Sequence, residues 1–399
     1  MRIAFVGIGQ HYPSHVWMGR MRETLKDRIV VNVDDLRNVA RGTTPRQDTL
    51  YLPRKLPRPQ RLLRAIGLSS RSNRSMRSQW MLATLSEHRP TLVFTHFLDF
   101  AVQFSDVWRT LGVPVVVHCH GYDITWNVRS DLTGQPLHPV GYTNAVRSMP
   151  DNVWFIANST FTRDQLLSLG IRADKIAIKR FGVPLAERPK PVTDGSPKTM
   201  LYLGRLVDFK GPLETARAFA AVAKRHRDAK LEIAGDGCLV QPLDHLLQSL
   251  DVEGQTVRHG SVDPIRAAEL RRRAAVFTAH NKVGHPSGQV EAFGVSLLEA
   301  MGEGVPVVTG RCGGLIDFVH HDTNGFLFEP GDVDAHAHWM AELIDNTKLR
   351  RRLGEAAWET VRDNYQEQHE LDDMNQFFDH VSRTGTSPLL TGESIRRAA

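Results

Sequence analysis

The chain has 399 residues, of which 41% are hydrophobic and 24% charged, and its formal net charge is +6. This length predicts two domains, because a single domain usually has about 50–250 residues, and the composition is that of a globular protein. No run of about 18 apolar residues and no signal-peptide pattern occurs, which excludes the corresponding membrane and secretory segments. The three widely spaced cysteines argue against a disulfide framework, so we expect a cytoplasmic protein.

Strand and helix patterns alternate along the chain. The predicted strands are short apolar runs at residues 2–6, 28–33, 91–95, 114–118, 152–157, 199–204, 230–235, 274–279, 305–310 and 325–328. Most are continuously apolar, which is typical of strands buried on both faces of a parallel sheet, and helical patterns such as residues 212–226 separate them. The predicted fold is α/β, with two Rossmann-like doubly wound domains that face a central cleft.

A proline-rich segment, residues 183–198, interrupts the alternation and is interpreted as a linker. It separates an N-terminal domain at 1–182 from a second domain at 199–365. Residues 366–399 are predicted to form a helix and a tail, with a crossing back to the first domain as one option. Ligands of doubly wound sheets bind beyond the carboxyl ends of the strands, so functional residues should lie in the loops that follow strands.

The first strand is followed by Gly7 and Gly9, which begin a dinucleotide-binding pattern. Tyr12 stands where the third glycine of that pattern belongs, so a dinucleotide site is not predicted. We expect instead a glycine turn that opens onto the cleft.

The stretch from 49 to 86 is basic and contains no acidic residue. Its cations are Arg54, Lys55, Arg58, Arg61, Arg64, Arg71, Arg74 and Arg77. They outnumber the whole net charge, so the rest of the protein is close to neutral. The stretch is either a solvated loop or a surface for an anionic membrane or another polyanion.

The strand at 114–118 leads into His118, His120, Gly121 and Asp123. A zinc site would need further ligands, and the sequence shows no partner cluster beside these histidines, so we predict no metal. Two interpretations of His120 remain, a hydrogen-bonded core residue and a residue that faces the cleft, and we favour the second.

Arg205 and Lys210 flank a strand-to-helix turn in the segment GRLVDFKG of the second domain. Cations beside free backbone N–H groups suit an anion such as a diphosphate, whereas the alternative is a surface turn with solvated cations. The next strand ends in Gly235-Asp236-Gly237, where glycines allow a tight turn and close approach of a backbone.

Glu291 and Glu299 lie on either side of a helix start that is expected near Phe293. Their separation rules out a close acid–base pair and suits hydrogen bonds to two parts of one extended ligand. The residues around Glu299 are largely apolar, so this carboxylate should be partly buried and needs partners. The alternative for Glu299 is a charge on a solvent-exposed helix face.

Together these motifs resemble the retaining glycosyltransferases of the GT-B fold, and specifically glycosyltransferase family 4. EAFGVSLLE matches the Glu-x7-Glu motif of that family, GRLVDFKG and AGDG match its two earlier donor-domain motifs, and HGYD in the first half is also similar. The resemblance covers most of the chain and is strongest from Thr199 to Leu343. The chain departs from the pattern in its short N-terminal glycine loop and just before Lys210, which leaves Asp208 without a role.

The resemblance implies transfer of a sugar from a nucleotide-sugar to a glycan, lipid-linked or small-molecule acceptor, with retention of configuration. It implies these catalytic residues: His120 at the reacting sugar, Arg205 and Lys210 on the diphosphate, and Glu291 on the donor sugar. The substrate-binding residues that it implies are Gly9, Asp123, Gly235, Gly237, Phe293, Gly294, Val295 and Glu299, the last on ribose hydroxyls.

Fixed cations that face a departing diphosphate take over the role of a metal, so we predict no metal and no cofactor. Two other classes of function stay open. One is a nucleotide-sugar epimerase or phosphorylase on the same fold. The other is a polyanion-binding protein that uses residues 49–86, although no RNA-binding motif or zinc finger supports a nucleic acid partner. A membrane-binding stretch would place the protein peripherally at the inner face of the membrane.

Overall fold

The computed structural model describes residues 1–8, 16–35, 47–53, 73–130, 133–189, 195 and 198–384. Over these ranges the chain forms two parallel β-sheets, one of seven strands and one of six, with helices around each. The predicted α/β architecture with two Rossmann-like units is confirmed.

The first sheet has the strand order β3-β2-β1-β4-β5-β6-β7. Its strands are β1 (Ile3–Ile8), β2 (Ile29–Asp35), β3 (Leu50–Tyr51), β4 (Leu92–His96), β5 (Val115–His118), β6 (Val153–Ala157) and β7 (Ile176–Ile178). Its helices are α1 (Val16–Thr24), α2 (Asn73–His88), α3 (Leu98–Gln103), α4 (Ser105–Leu111), α5 (Tyr142–Arg147) and α6 (Thr160–Ser168). The strand order reverses between β1 and β4, and ligands of open α/β sheets bind beside such a reversal.

The second sheet repeats this arrangement with the order β10-β9-β8-β11-β12-β13. Its strands are β8 (Thr199–Leu203), β9 (Lys230–Ala234), β10 (Thr256–Gly260), β11 (Val276–Ala279), β12 (Val307–Gly310) and β13 (Gly325–Phe328). Its helices are α7 (Pro212–Ala223), α8 (Val240–Ser249), α9 (Pro264–Arg273), α10 (Val295–Gly302), α11 (Val333–Asp345) and α12 (Thr347–Asn364). Here the order reverses between β8 and β11, so the loops after these two strands are the expected ligand site.

The last helix, α13 (Glu367–Thr384), packs on the first sheet. It contributes to the core of that sheet the buried residues Met374, Phe377, Phe378 and Val381. The Phe378 ring lies 5.0 Å from the Phe94 ring of β4. Glu370 forms an ion pair with Lys179, which is buried just after β7. The chain therefore returns to the first sheet after it has completed the second.

All of the predicted strands occur, and their ends differ from the prediction by at most two residues. Prediction missed β3, β7 and β10, which are edge strands of their sheets. β10 is polar and partly exposed, so it lacks the apolar run that marks a buried strand. Among the helices of the described ranges, none has the length and apolarity needed to cross a bilayer.

Candidate active site

The loop after β8 carries Arg205 and Lys210 at the strand-order reversal of the second sheet. Both cations lie against the Phe209 ring, with Arg205 Cζ 5.5 Å and Lys210 Nζ 5.4 Å from its centroid. The Tyr202 hydroxyl donates a 2.8 Å hydrogen bond to the Arg205 carbonyl. Arg205 is exposed and Lys210 is partly buried. The loop therefore presents two positive charges around one aromatic ring.

Lys210 forms an ion pair with Glu291, which lies in the loop after β11. The two side chains are only 17% and 10% exposed, so water screens this pair less than a surface ion pair. The family resemblance implied that Lys210 contacts a diphosphate and Glu291 a sugar. The structure places both groups at one point of the site.

The loop after β9 supports the loop that carries Arg205. The Gly204 N–H donates to the Ala234 carbonyl at 3.0 Å, and the Leu206 N–H donates to the Asp236 carbonyl at 2.9 Å. A side chain at Gly235 would collide with the Gly204 carbonyl oxygen. Gly237 has the same relation to the Leu206 carbonyl. These glycines are needed for contact between two backbones, and this contact holds the cationic loop in place.

Asp208 has a structural partner that the sequence did not reveal. Its carboxylate accepts hydrogen bonds from the Ser287 N–H at 2.9 Å and from the Ser287 hydroxyl at 2.8 Å. It also accepts a 2.7 Å hydrogen bond from the Phe209 N–H. Asp208 therefore ties the Lys210 turn to the loop that leads to Glu291.

Helix α10 begins at Val295, two residues later than expected, and Gly294 is its N-cap with φ of 97°. The positive φ favours glycine at this position, and a side chain there would also have to displace the end of the Leu315 side chain. The first N–H groups of a helix have no intrahelical acceptor and carry partial positive charge, which suits an anion. The Phe293 side chain is buried against Phe318 in the core, and its assignment to substrate binding stays a prediction.

Glu299 lies about one turn inside α10 and is held by an arginine that the sequence did not single out. Arg271 Nη1 of α9 is 2.9 Å from Glu299 Oε2. Arg20 Nη1 of α1 is 3.9 Å from the other carboxylate oxygen and 3.3 Å from Glu367. The expectation that Glu299 is partly buried and has partners matches this geometry. The run of three arginines at the end of α9 was the available signal for Arg271.

The first sheet contributes His120, which is partly buried among aromatic rings. Its Nε2 lies 3.3 Å from His96 Nδ1, and its ring centroid lies 4.3 Å from that of Trp17. His118 is fully buried beside it, and burial holds the pKa of His118 well below its usual range. The expectation that no partner cluster stands beside His118 and His120 is wrong, because His96 completes a group of possible metal ligands.

Asp123 fixes the backbone of the His120 loop. Its carboxylate accepts hydrogen bonds from the N–H groups of His120, Gly121 and Leu98 at 2.9, 2.8 and 2.8 Å. Burial raises its pKa to about 6, although these three hydrogen bonds act in the opposite direction. The carboxylate of Asp123 thus holds the backbone of this loop, and its assignment to substrate binding stays a prediction.

The two halves of the chain meet beside these residues. A side-chain carbon placed on Gly121 would lie 2.8 Å from Ala292 Cβ, so the loops after β5 and β11 are in contact. The Thr160 N–H at the start of α6 donates a 2.7 Å hydrogen bond to Asp317 of the second half. His120 and Glu291, which neighbour Gly121 and Ala292 in sequence, are brought to one cleft.

Two predicted features lie outside the described residues. Gly9 falls in the range 9–15, and most of the basic stretch falls in the range 54–72. Arg77 is described, and it is 6% exposed and paired with Asp35 at the end of β2. It is therefore not one of the solvent-exposed cations that the sequence suggested.

Two family models match this chain. Residues 35–187 match the model described as Glycosyltransferase Family 4, and residues 185–360 match the model described as Glycosyl transferases group 1. The boundary between the matches coincides with the segment between β7 and β8. The resemblance seen in the sequence is confirmed.

Curated relatives agree with these models. A D-inositol 3-phosphate glycosyltransferase of Corynebacterium glutamicum is 32% identical over 197 residues, which are 48% of this chain and 43% of the relative. A GDP-mannose-dependent alpha-(1-6)-phosphatidylinositol monomannoside mannosyltransferase of Mycobacterium tuberculosis is 26% identical over 62% of this chain and 64% of the relative. The first relatives are thus matched over less than half of their length.

Solved structures share the fold over nearly the whole chain. HepE of Anabaena, in complex with UDP and glucose, has a TM-score of 0.71 at 16% identity and covers 95% of this chain and 99% of its own. Sucrose-phosphate synthase of Thermosynechococcus elongatus has a TM-score of 0.73 at 17% identity with the same coverage. Over residues 35–360 the chain therefore matches two glycosyltransferase family models, Glycosyltransferase Family 4 in its first half and Glycosyl transferases group 1 in its second half, and its fold is the GT-B architecture.

Proposed function

We propose that this protein transfers a sugar from a nucleotide-sugar to an acceptor hydroxyl in the cleft between its two sheets. The observation that carries the proposal is the contact of Gly121 with Ala292, because it sets His120 of the first sheet beside Glu291 and Lys210 of the second. The names of the sequence relatives and the UDP and glucose bound to HepE support a nucleotide-sugar as the donor.

In this proposal the donor diphosphate lies between the loop after β8 and the start of α10. Arg205 and Lys210 supply positive charge, and the first N–H groups of α10, at Val295, supply hydrogen-bond donors. Glu299 accepts hydrogen bonds from the ribose hydroxyls, and its ion pair with Arg271 fixes the carboxylate for that purpose. The donor sugar extends from the diphosphate toward Glu291 and His120.

The reaction breaks the bond between the anomeric carbon and the diphosphate oxygen, and that oxygen leaves with the electron pair. The acceptor hydroxyl oxygen bonds to the same carbon, and its proton passes to an oxygen of the departing diphosphate. Negative charge grows on the diphosphate while positive charge grows on the sugar. Arg205, Lys210 and the α10 amides are already in place for that charge, which is how fixed groups lower a barrier.

Attack and departure on the same face of the sugar give retention of configuration. Glu291 is not proposed as a nucleophile, because its carboxylate is engaged with the Lys210 ammonium and suits hydrogen bonds to sugar hydroxyls. His120 contacts the sugar from the first sheet. Since these side chains supply the charge, we propose that the transfer needs no metal ion and no cofactor.

For the acceptor we propose a glycan or a lipid-linked molecule presented at an anionic membrane surface. The support is the basic stretch 49–86 and the lipid named for the mycobacterial relative. Basic residues near an anionic surface contribute about 1 kcal/mol each. Sedimentation with anionic and neutral vesicles tests this part: we expect salt-sensitive binding to anionic vesicles only, weakened when Arg58, Arg61, Arg64 and Arg71 are neutralised together. Absence of co-sedimentation with anionic vesicles at low salt would contradict the proposed binding to a membrane.

Product analysis tests the transfer itself. The protein is incubated with a panel of nucleotide-sugars, each with and without a mixture of candidate acceptor lipids and glycans. We expect a glycosylated product and free nucleoside diphosphate only when an acceptor is present. An altered nucleotide-sugar without acceptor would indicate an epimerase, and phosphate-dependent release of sugar phosphate would indicate a phosphorylase.

A further inference from the structure

The first sheet gathers three histidines at the carboxyl ends of two neighbouring strands. His96 and His118 are register partners in the parallel pair β4 and β5, so their side chains emerge on one face of the sheet. His120 follows two residues later and turns its Nε2 toward His96. One ring nitrogen of each histidine lies within 4.8 Å of those of the other two.

The spacing of these nitrogens is close to that of zinc ligands. Zinc–nitrogen bonds of about 2.0–2.1 Å at tetrahedral angles place two ligand nitrogens about 3.3–3.4 Å apart. His96 Nδ1 and His120 Nε2 are 3.3 Å apart. The longest separation in the group, at most 4.8 Å, closes to the same value through a side-chain shift of roughly 1.5 Å.

His118 supplies an independent reason to place a ligand here. It is fully buried, and within the described part of the chain neither of its ring nitrogens has a hydrogen-bond partner. Buried polar groups are nearly always paired, so an imidazole in this condition needs an explanation. A bound cation at the centre of the three rings would satisfy it.

We propose that His96, His118 and His120 bind one divalent transition-metal ion, for which zinc is the best chemical match. Imidazole nitrogens suit zinc, cobalt, nickel and copper and do not suit magnesium or calcium. His120 is the member that is partly exposed, so the ion enters from the cleft and keeps its fourth position open to water on that side. The nearby Lys179 ammonium does not oppose the ion fully, because Glu370 pairs with it.

The bound ion has a consequence for catalysis that rests on the proposed function. It would occupy His120 Nε2 and withdraw this ring from the donor sugar. Zinc should therefore inhibit transfer, and a chelator should restore it. Binding itself does not depend on the proposed function, so the two claims can fail separately.

Cobalt and zinc binding to the full chain, prepared without a polyhistidine tag and stripped of metal, tests the site. We expect one cobalt equivalent with the visible absorption bands of four-coordinate cobalt, and displacement by zinc in calorimetry. His118→Leu places an apolar side chain at this buried position, and His118 is not one of the residues proposed to act in catalysis. The substitution should weaken zinc binding by at least about 10–100-fold, because this loss is already typical when only a hydrogen-bond partner of a metal ligand is changed.

His245→Gln is the matched control, since His245 is an exposed histidine of α8, and it should bind zinc like the parent. If the parent shows neither cobalt bands nor heat of zinc binding, the three histidines hold no metal and the proposal is overturned. Equal zinc affinity of the parent and of a folded His118→Leu protein would overturn it as well. The cobalt spectrum of the parent decides the matter even if the variant does not fold.

Discussion

The loops of the second sheet and the loop after β5 in the first sheet meet at one cleft but are built from different chemistry. The second sheet presents paired charges that are partly exposed, with Lys210 on Glu291 and Arg271 on Glu299. The first sheet presents imidazoles against aromatic rings, held by the buried carboxylate of Asp123. One side of the cleft is therefore lined by paired charges, whereas the other is lined by aromatic rings and imidazoles.

Each half of the chain also has buried histidines near the ends of its strands, but the hydrogen-bond partners of these histidines differ. In the second sheet the Gly331 N–H donates to His280 Nε2 at 2.9 Å, and His280 Nδ1 lies 3.1 Å from His336 Nδ1. His336 Nε2 lies 2.6 Å from the Thr278 hydroxyl, so this chain of hydrogen bonds is complete. In the described part of the first sheet, His118 has no such chain. The buried histidines of the second sheet are thus paired with each other and with their surroundings. Within the described residues, the equally buried ring nitrogens of His118 have no hydrogen-bond partner.

Removal of the cations on the charged side of the cleft should have the largest effect on turnover. Lys210→Ala and Arg205→Ala should each lower turnover by about 10²–10³-fold, or roughly 3–4 kcal/mol, because each removes a fixed charge that faces the departing diphosphate. Steady-state kinetics measure this. Lys224→Ala, at an exposed lysine of the same domain, is the control and should keep the parent's turnover. Near-normal turnover of both site variants would contradict the assignment.

The buried histidines of the second sheet should make stability depend on pH. Burial lowers the pKa of His280 to about 4 and that of His336 well below its usual range, so both are neutral when folded. An unfolded histidine has a pKa of about 6.5, so stability is full above that value and falls as the pH drops from 6.5 toward 4, by about 3 kcal/mol for His280. Urea unfolding at several pH values measures this.

His336→Gln removes one of the buried histidines whose pKa is lowered and should flatten the dependence between pH 6.5 and 4. Identical pH profiles for the parent and this variant would show that the histidine chain is not the cause.

The backbone of the His120 loop can be tested through Asp123. Asp123→Asn replaces one acceptor oxygen with an N–H₂ group that faces a backbone donor, and one buried N–H without an acceptor costs about 1–3 kcal/mol. The melting temperature and the urea midpoint should both fall. Asp164→Asn is the control, since Asp164 forms an exposed ion pair with Arg163 and should change stability by less than about 1 kcal/mol. Unchanged stability of Asp123→Asn would mean that the loop is held by other contacts.

The roles of Glu291 and Glu299 should differ when the full donor is replaced by the nucleoside diphosphate alone. Glu299→Ala should weaken binding of the bare nucleoside diphosphate by about tenfold, or roughly 1.4 kcal/mol, through loss of the ribose contact. Glu291→Ala should spare that affinity and lose the part of donor binding that depends on the sugar. Calorimetry with the diphosphate and with the full donor distinguishes them. The same loss of diphosphate affinity in both variants would contradict the separate roles.

Of these changes, removal of metal ions by a chelator should have the smallest effect on turnover. Turnover in excess EDTA should equal turnover without it, because side chains supply the charge that a metal would otherwise supply. Complete loss of turnover, restored by magnesium or manganese, would contradict this. A rise in turnover on chelation would instead fit removal of an inhibitory metal from the three histidines.

The sequence could point to most residues of the candidate site on the second sheet because they stand in contiguous motifs. Arg205 and Lys210 are in one loop, and Glu291 and Glu299 are in one segment. The partners of these residues come from elsewhere in the chain, as Arg271 does for Glu299. The run of three arginines marks Arg271 as a candidate but does not show which carboxylate it meets.

On the first sheet, His96 reaches His120 only because β4 and β5 are neighbours, which is a property of the sheet order. The family resemblance assigned Asp123 to substrate binding, whereas the structure shows that its buried carboxylate accepts hydrogen bonds from the backbone of the His120 loop. Continuous apolar runs likewise revealed the central strands, whereas the polar edge strand β10 carried no such signal.

The most direct test of the account is the thermal stabilisation of the protein by nucleoside diphosphates. A ligand that binds only the folded state raises the melting temperature. We predict that one diphosphate stabilises the parent and His120→Ala to a similar extent and fails to stabilise the Arg205→Ala/Lys210→Ala double variant. No stabilisation of the parent by any diphosphate, or equal stabilisation of the double variant, would contradict the claim that the second sheet holds the donor.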